Sequence, residues 1–277
     1  MKPSISSLLM LTVSTVGATL ILAGCGVSGS SSAASLGDGG HVKATTKSIA
    51  KTSSSEVLDA TLKWLSSQTS LTVAAPAVLP NPPSGYWAAQ AQGTAQEYQI
   101  TLWDVTHPLE INSPHIIEDT MPNSPTAAFG VMELSSGMPA PGAPGYLTPL
   151  QQHNSSWLTL SPTNGTPVAL GSDVTGFRYS AVQGTVVDWG LGSWTLQVSG
   201  GSSVQELQAA KFVDSYLANH RLPPAPGIVA IHLTRNGAKT LLDWINGRQL
   251  SWVEYASNSG NNAVTACTMA ISWKVGR

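Results

Sequence analysis

The densest group of side chains able to bind a metal ion lies between residues 104 and 119. It combines imidazole and carboxylate groups, which suit zinc or a similar divalent ion: Asp104, His107, Glu110, His115, Glu118 and Asp119. His107 and Glu110, and likewise His115 and Glu118, are three residues apart, which places two side chains on one face only in a helix. A proline adjoins each histidine and favours turns instead. We therefore predict no metal site, with His107, Glu110, His115 and Glu118 as the candidate ligands should one form.

Nine tryptophans form a second group with binding potential. Large aromatic side chains dominate burial energetics, so most of them are predicted to lie in the core. Trp87 is the exception, because it follows Pro82, Pro83 and Tyr86 in a loop-like segment. An exposed aromatic patch marks a contact site, and such a ring can stack on a sugar. Trp87 is our candidate ligand-binding residue, with polysaccharide as its candidate ligand.

Motifs for catalysis and cofactor binding are absent or misplaced. The sequence has no Gly-x-Ser-x-Gly elbow, no Walker loop and no dinucleotide fingerprint, which needs its glycines between a strand and a helix. Ser48 and Lys51 have the Ser-x-x-Lys spacing of acyl-enzyme hydrolases, but they lie in a low-complexity segment without a downstream Lys-Thr-Gly. We predict no catalytic residue and no cofactor. The alternative is a hydrolase whose site assembles from residues scattered along the chain.

The amino-terminal residues have the pattern of an export signal. Lys2 precedes a mostly apolar run from Leu8 to Leu22, as in secretory signals, and the run ends in Leu22-Ala23-Gly24-Cys25. This tetrapeptide resembles the lipobox of bacterial lipoproteins. The resemblance implies cleavage before Cys25, lipidation of its sulfur and stable anchoring to a membrane through two or more acyl chains. The alternatives are an ordinary secretory signal and a transmembrane anchor, which needs ~20 predominantly apolar residues.

Composition divides the chain into four parts. Residues 1–24 are the predicted lipoprotein signal peptide, and residues 25–55 are the lipidated cysteine with a Ser/Gly/Thr-rich flexible tether. Residues 56–162 are predicted to form an amino-terminal α+β part. Residues 163–277 are predicted to form a carboxy-terminal ββα-repeat part.

Charged residues are sparse, at 10% of the chain against about 25% in typical soluble domains. No lysine or arginine occurs between Lys63 and Arg178. Because nucleic-acid binding depends on clustered Lys and Arg facing phosphates, it is excluded as a function.

Hydrophobic periodicity predicts an α+β fold, with an antiparallel sheet and helices packed on one face. The predicted helices cover residues 54–67, 204–219 and 262–273. The predicted strands cover residues 98–105, 127–134, 156–160, 167–170, 177–183, 185–189, 194–198, 228–233 and 250–255. Cys267 lies in an apolar run and has no partner once Cys25 is lipidated, so we predict a buried structural thiol.

The carboxy-terminal part contains a predicted internal repeat. Thr185–Gly192 and Thr240–Gly247 share threonine, aspartate, tryptophan and glycine at matching positions, and a second strand and a helix follow each. Asn246 and Gly247 form a strong hairpin signal. We therefore predict two ββα units. The second unit loosely resembles uncharacterised extracytoplasmic lipoprotein domains of spore-forming bacteria, a resemblance that implies location but no activity.

Together these features predict a lipoprotein on the outer face of the plasma membrane, held there by its lipid. Its predicted role is that of a non-catalytic binding or surface-structural module, with a polysaccharide or an envelope protein as partner. The alternative is an extracytoplasmic hydrolase acting on cell-envelope or external polymers.

Overall fold

The computed structural model describes residues 54–120, 124–137, 139, 145–153, 158, 164–171, 173–181, 184–258 and 262–275. The predicted signal peptide, Cys25 and nearly all of the predicted tether lie outside the described residues. So do the predicted boundary between residues 162 and 163 and, apart from Leu158, the strand predicted at 156–160.

The described residues form five helices and twelve strands. The helices are α1 (Ser54–Leu65), α2 (Ile116–Asp119), α3 (Thr148–His153), α4 (Ser203–Leu217) and α5 (Asn262–Ile271). The strands are β1 (Ala74–Pro76), β2 (Tyr86–Gly93), β3 (Glu97–Val105), β4 (Thr126–Glu133), β5 (Thr166–Ala169), β6 (Thr175–Ala181), β7 (Gly184–Leu191), β8 (Trp194–Ser199), β9 (Gly227–Thr234), β10 (Gly237–Asn246), β11 (Gln249–Ser257) and β12 (Trp273–Val275).

Ten of these described strands make one sheet, in the order β2-β3-β4-β11-β10-β9-β8-β7-β6-β5. The pair β8–β9 is parallel and the other neighbours in this sheet are antiparallel. The predicted α+β class with a mainly antiparallel sheet is therefore confirmed. The parallel pair was not predicted, and it arises because the chain passes through α4 between β8 and β9, a crossover that returns it in the same direction.

The main hydrophobic core lies on one face of the sheet. Alternate strand residues such as Ile100, Phe129 and Leu242 are fully buried in it, as expected where successive side chains point to opposite faces. Helices α1, α4 and α5 contribute their apolar residues to this same cluster. The two short helices lie elsewhere, since Ile116 of α2 and Leu150 of α3 belong to separate clusters. The prediction that helices pack on one face thus holds for the three long helices.

Local sequence fixes the start of the long α4 helix. Ser202 is its N-cap and forms a capping box with Gln205, which satisfies backbone N–H groups that have no partner within the helix. The buried Glu206 accepts hydrogen bonds from Gly201 N at 3.2 Å and from the Thr185 hydroxyl of β7. Burial raises the pKa of Glu206, although those two hydrogen bonds and Arg178 act in the opposite direction. These contacts fasten the start of α4 to β7.

Helix α5 buries several small side chains against the sheet. Ala266, Cys267 and Ala270 are fully buried. Burial raises the pKa of the Cys267 thiol to about 12, so the thiol stays protonated and packs as a small hydrophobe. The prediction of a buried thiol at Cys267 is confirmed.

The predicted hairpin at Asn246 and Gly247 is also confirmed. Asn246 pairs with Gln249 across the turn, and Gly247 has a φ of 62°, a conformation that glycine adopts without steric cost. Two short strands were not predicted: β1 pairs with β12, which ties the segment after α1 to the carboxy-terminal end of the described chain.

Gly130 in β4 allows a close approach of side chains across the sheet. It lies between Gln99 of β3 and Trp252 of β11 in the strand register. A Cβ atom at this position would lie 2.9 Å from the Trp252 indole nitrogen and would overlap the backbone oxygen of Tyr98. The indole ring of Trp252 therefore lies directly over Gly130. With any other residue in this position, the side chain would occupy the space that the ring fills.

We expect Gly130→Ala to lower the free energy of unfolding by about 1–3 kcal/mol, the usual effect of overpacking. Urea denaturation followed by circular dichroism measures the change. Gly190→Ala is the matched control, because this strand glycine has open space around its Cβ position and should change stability by no more than about 0.5 kcal/mol. Equal stability of the two variants would contradict this account of Gly130.

Candidate functional site

The face of the sheet opposite the main core carries a row of uncharged polar side chains on its β2–β3 edge. Gln92 of β2 pairs with Gln99 of β3, and Gln90 pairs with Thr101. Because residues two apart in a strand share a face, all four side chains project from the same side. The intervening residues Ala89, Ala91 and Ile100 point into the core.

These side chains line two neighbouring cavities. The larger has a volume of about 380 Å³ and is lined by residues that include Gln92, Gln99, Met132, His153 and Trp252. The second has a volume of about 350 Å³ and includes Gln90, Thr101 and Asn112 in its lining together with Gln92 and Gln99. The two cavities adjoin each other, because Gln92 and Gln99 belong to both linings. We name the two together the amide groove and define it by Gln90, Gln92, Gln99, Asn112, His153 and Trp252.

The glutamines are joined by long hydrogen bonds. Gln92 Nε2 donates to Gln99 Oε1 at 3.4 Å, and Gln99 Nε2 donates to Thr101 Oγ1 at 3.4 Å. At this length each bond is weak. A side-chain amide offers two N–H donors and one carbonyl acceptor, so these contacts leave hydrogen-bonding capacity directed toward the groove.

Asn112 closes the outer side of the groove and protects the sheet edge. Its Oδ1 accepts a hydrogen bond from Ala91 N at 2.7 Å, and its backbone N donates to Ala89 O at 2.9 Å. Asn112 has a φ of 59°, which asparagine tolerates better than most residues. The loop thereby occupies part of the free edge of β2, an edge that would otherwise invite pairing with another strand.

The other side of the groove is fixed by an ion pair. His153, at the end of α3, places Nδ1 2.6 Å from Asp243 Oδ2 in β10. The Asp243 side chain is fully buried and the His153 side chain is 28% exposed. The His153 ring also lies 5.8 Å from the Trp252 ring, centroid to centroid. The ion pair and the ring contact together hold α3 against the sheet.

Nearby charges set the protonation of this pair. Burial lowers the pKa of His153, but the hydrogen bond and charge of Asp243 and the charge of Glu254 outweigh it, so the pKa is raised overall. The pKa of Glu254 is raised, mainly by burial and also by the charge of Asp243, whereas the charges of Lys239 and His153 lower it. The imidazolium form of His153 is therefore favoured beside its two carboxylate neighbours.

The structure does not assemble the candidate metal ligands into one site. His107 Nδ1 lies 3.1 Å from Asp119 Oδ1, while His115 Nδ1 lies 3.0 Å from Glu118 Oε2 on an exposed surface. Within the described ranges, no group of three or more His, Cys, Asp or Glu residues could hold a metal ion. The segment contains only the four-residue helix α2, so its side chains spread over a loop.

The expectation that Trp87 is an exposed platform is wrong. Trp87 is 2% exposed and belongs to the main core, and its indole nitrogen donates to Pro80 O at 2.8 Å. The reason is that Trp87 lies within β2 rather than in a loop, at a position of the strand that faces the core. Ser84, in the preceding turn, donates through its N and Oγ to Asp104, so the proline-rich segment is anchored over the ring.

Sequence reasoning missed the groove residues for two different reasons. Gln99 and Thr101 alternate with apolar residues in a strand that was predicted, so their shared face could have been recognised. Strand β2 is rich in alanine and glutamine, which give little strand signal. His153 and Asp243 are 90 positions apart, and no local pattern relates them.

A scan against models of known protein families found no match to this chain, and searches of curated proteins and of solved structures found no significant match either. Among the described residues, no helix combines the length and the apolar character needed to span a membrane.

We expect His153→Ala to destabilise the protein more at about pH 5.5 than at about pH 9. The folded-state pKa of His153 is raised, so the pair stabilises the fold below the unfolded pKa of about 6.5 and loses this effect as the pH rises through the folded value. A loss of about 1.5–3 kcal/mol is expected at the lower pH, measured by urea denaturation.

The control is His115→Ala, since His115 is exposed and its partner Glu118 is exposed too. This variant should match the wild type at both pH values. If His153→Ala lowers the free energy of unfolding equally at pH 5.5 and pH 9, the charge of the pair contributes nothing to stability.

Proposed function

We propose that this protein is a lipid-anchored extracytoplasmic binding module rather than an enzyme. The observation that carries the proposal is the amide groove, an open site on a hydrogen-bonded sheet with mainly uncharged, hydrogen-bonding side chains. The lipobox Leu22-Ala23-Gly24-Cys25 supports the location, on the outer face of the plasma membrane. The partner is an external or cell-envelope polymer, since such material surrounds a protein held there.

The contacts of His153 favour binding over catalysis. A nucleophilic mechanism requires a hydroxyl or thiol within hydrogen-bond reach of its base. In the described part of the chain, the side-chain hydrogen bond of His153 goes to Asp243, and no hydroxyl or thiol is bonded to the ring. The pair therefore serves to hold α3 and the wall of the groove in place.

The same pair supports the second candidate function, a hydrolase. A carboxylate on Nδ1 orients an imidazole as a general base in many hydrolases, and the His153 ring lines the larger cavity. In that case the other ring nitrogen, Nε2, would accept the proton of the attacking hydroxyl or water.

We also propose that the carboxy-terminal part arose from two repeated ββα units. The elements β7-β8-α4 and β10-β11-α5 have the same order and connection. Asp188 pairs with Gln197 as Asp243 pairs with Trp252, at the same distance from turn glycines with φ values of 59° and 62°. Buried helix residues match as well, with Ala210 and Val213 of α4 corresponding to Ala266 and Met269 of α5.

The anchor is tested by expressing the full chain in a bacterium with its own signal. We expect mass spectrometry to find Cys25 as the lipidated amino terminus and fractionation to place the protein with membranes. Cys25→Ser should abolish both results, because the sulfur that accepts the lipid is removed. An unmodified amino terminus, or release of the wild-type protein into the medium, would refute the anchor.

Binding is tested with the mature Cys25→Ser chain, which cannot carry the lipid. We expect this protein to co-sediment with isolated cell envelopes or with an insoluble polysaccharide, while bovine serum albumin stays in the supernatant. Absence of co-sedimentation with every polymer would refute the binding function. Release of soluble fragments from a polymer, lost in His153→Ala, would instead establish the hydrolase.

A further inference from the structure

We infer that the ligand of the amide groove is an uncharged oligosaccharide, bound along the β2–β3 edge of the sheet. This inference rests on the proposed binding function and assigns a ligand class to the same site. It follows from four properties of the groove: its hydrogen-bonding groups, its partly apolar wall, its charge and its hydrogen-bonded backbone.

The hydrogen-bonding groups match sugar hydroxyls. Each hydroxyl both donates and accepts, and a side-chain amide presents a donor and an acceptor side by side. Gln90 and Gln92 lie on one strand and Gln99 on the next, so amides recur about 7 Å apart along a strand and about 5 Å apart between strands. A chain of sugar rings offers hydroxyl groups at repeated intervals of this kind.

The wall of the larger cavity adds apolar contact. It includes Met132 and the small exposed part of Trp252, a residue that is 9% exposed and otherwise packs in a hydrophobic cluster over Gly130. Sugar rings have apolar C–H faces that pack against apolar surfaces of this kind. A site with an apolar wall and a few placed polar groups is typical of small-molecule recognition, and volumes of about 380 and 350 Å³ fall in the range of such sites.

Charge favours a neutral ligand. Among the described residues, no lysine or arginine lines either cavity, and Glu97 adds negative charge at the larger one. Recognition of phosphate, sulfate or carboxylate groups relies on cationic partners. His153, the cationic candidate in the described part of the lining, is already paired with Asp243 at 2.6 Å. An anionic polymer would therefore meet carboxylates without a compensating cation.

The backbone that carries the groove residues is held in place by hydrogen bonds before any ligand binds. Strands β2, β3 and β4 are hydrogen bonded in continuous register, Asn112 is bonded to the β2 backbone at 2.7 Å, and Asp243 holds His153. Side chains on fixed elements lose less conformational entropy on binding. This preorganisation allows weak individual hydrogen bonds to add up to a specific site.

The experiment titrates the mature Cys25→Ser chain by isothermal calorimetry with hexasaccharides of glucose, xylose, mannose and N-acetylglucosamine. Oligogalacturonate and sulfated dextran fragments are the anionic probes. We expect at least one neutral hexasaccharide to bind, and neither anionic probe to bind more tightly than it. Gln92→Ala and Gln99→Ala should each weaken binding at least tenfold, since each removes an amide that contacts the ligand.

Gln208→Ala is the matched control, because Gln208 is an exposed glutamine on α4 outside the groove, and this variant should bind like the wild type. Thermal unfolding of all three variants checks that they remain folded. Neutral-sugar binding that survives both groove substitutions would overturn the assignment of the site. Preference for an anionic probe, or no binding to any hexasaccharide by a chain that still co-sediments with envelopes, would overturn the ligand class and leave the proposed function intact.

Discussion

Pairing of the ten described strands in one sheet forces successive side chains of each strand to opposite faces. On one face the alternate residues are apolar, and α1, α4 and α5 cover them. On the other face the same strands present Gln92 and Gln99 near the β2 edge and Asp243 further along the sheet. A shift of one residue in register would exchange the two sets. The core and the groove are therefore specified together.

Much of the architecture follows from local sequence. Strands β3 and β4 and helix α4 were predicted because apolar residues recur with period two or at helical spacing. Turn chemistry also predicted the hairpin at Gly247. The sheet order could not be predicted in this way, since the pairing of β4 with β11 and the parallel pair β8–β9 depend on contacts between distant segments.

The candidate site depends on contacts between distant segments even more than the fold does, so less of it could be predicted from local sequence. Trp87 was expected on the surface because prolines precede it, yet the alanine-rich β2 turns its ring into the core. The spacing of the histidines in the 104–119 segment suggested candidate metal ligands, but each histidine pairs with a single carboxylate. His153 gives no local signal, and its position depends on Asp243 far along the chain. A site assembled across strands is visible only once the register is known.

The pairing of β4 with β11 also has a consequence for the time course of folding. Phe129 lies opposite Val253, so the sheet edge of β4 stays without its partner until almost the whole chain is present. Contacts between such distant residues slow folding, and an unpaired strand edge is open to aggregation in the interval. The chain is synthesised from its amino terminus, so β2, β3 and β4 are made before the β10–β11 hairpin. The complete sheet can form only after that hairpin has been made.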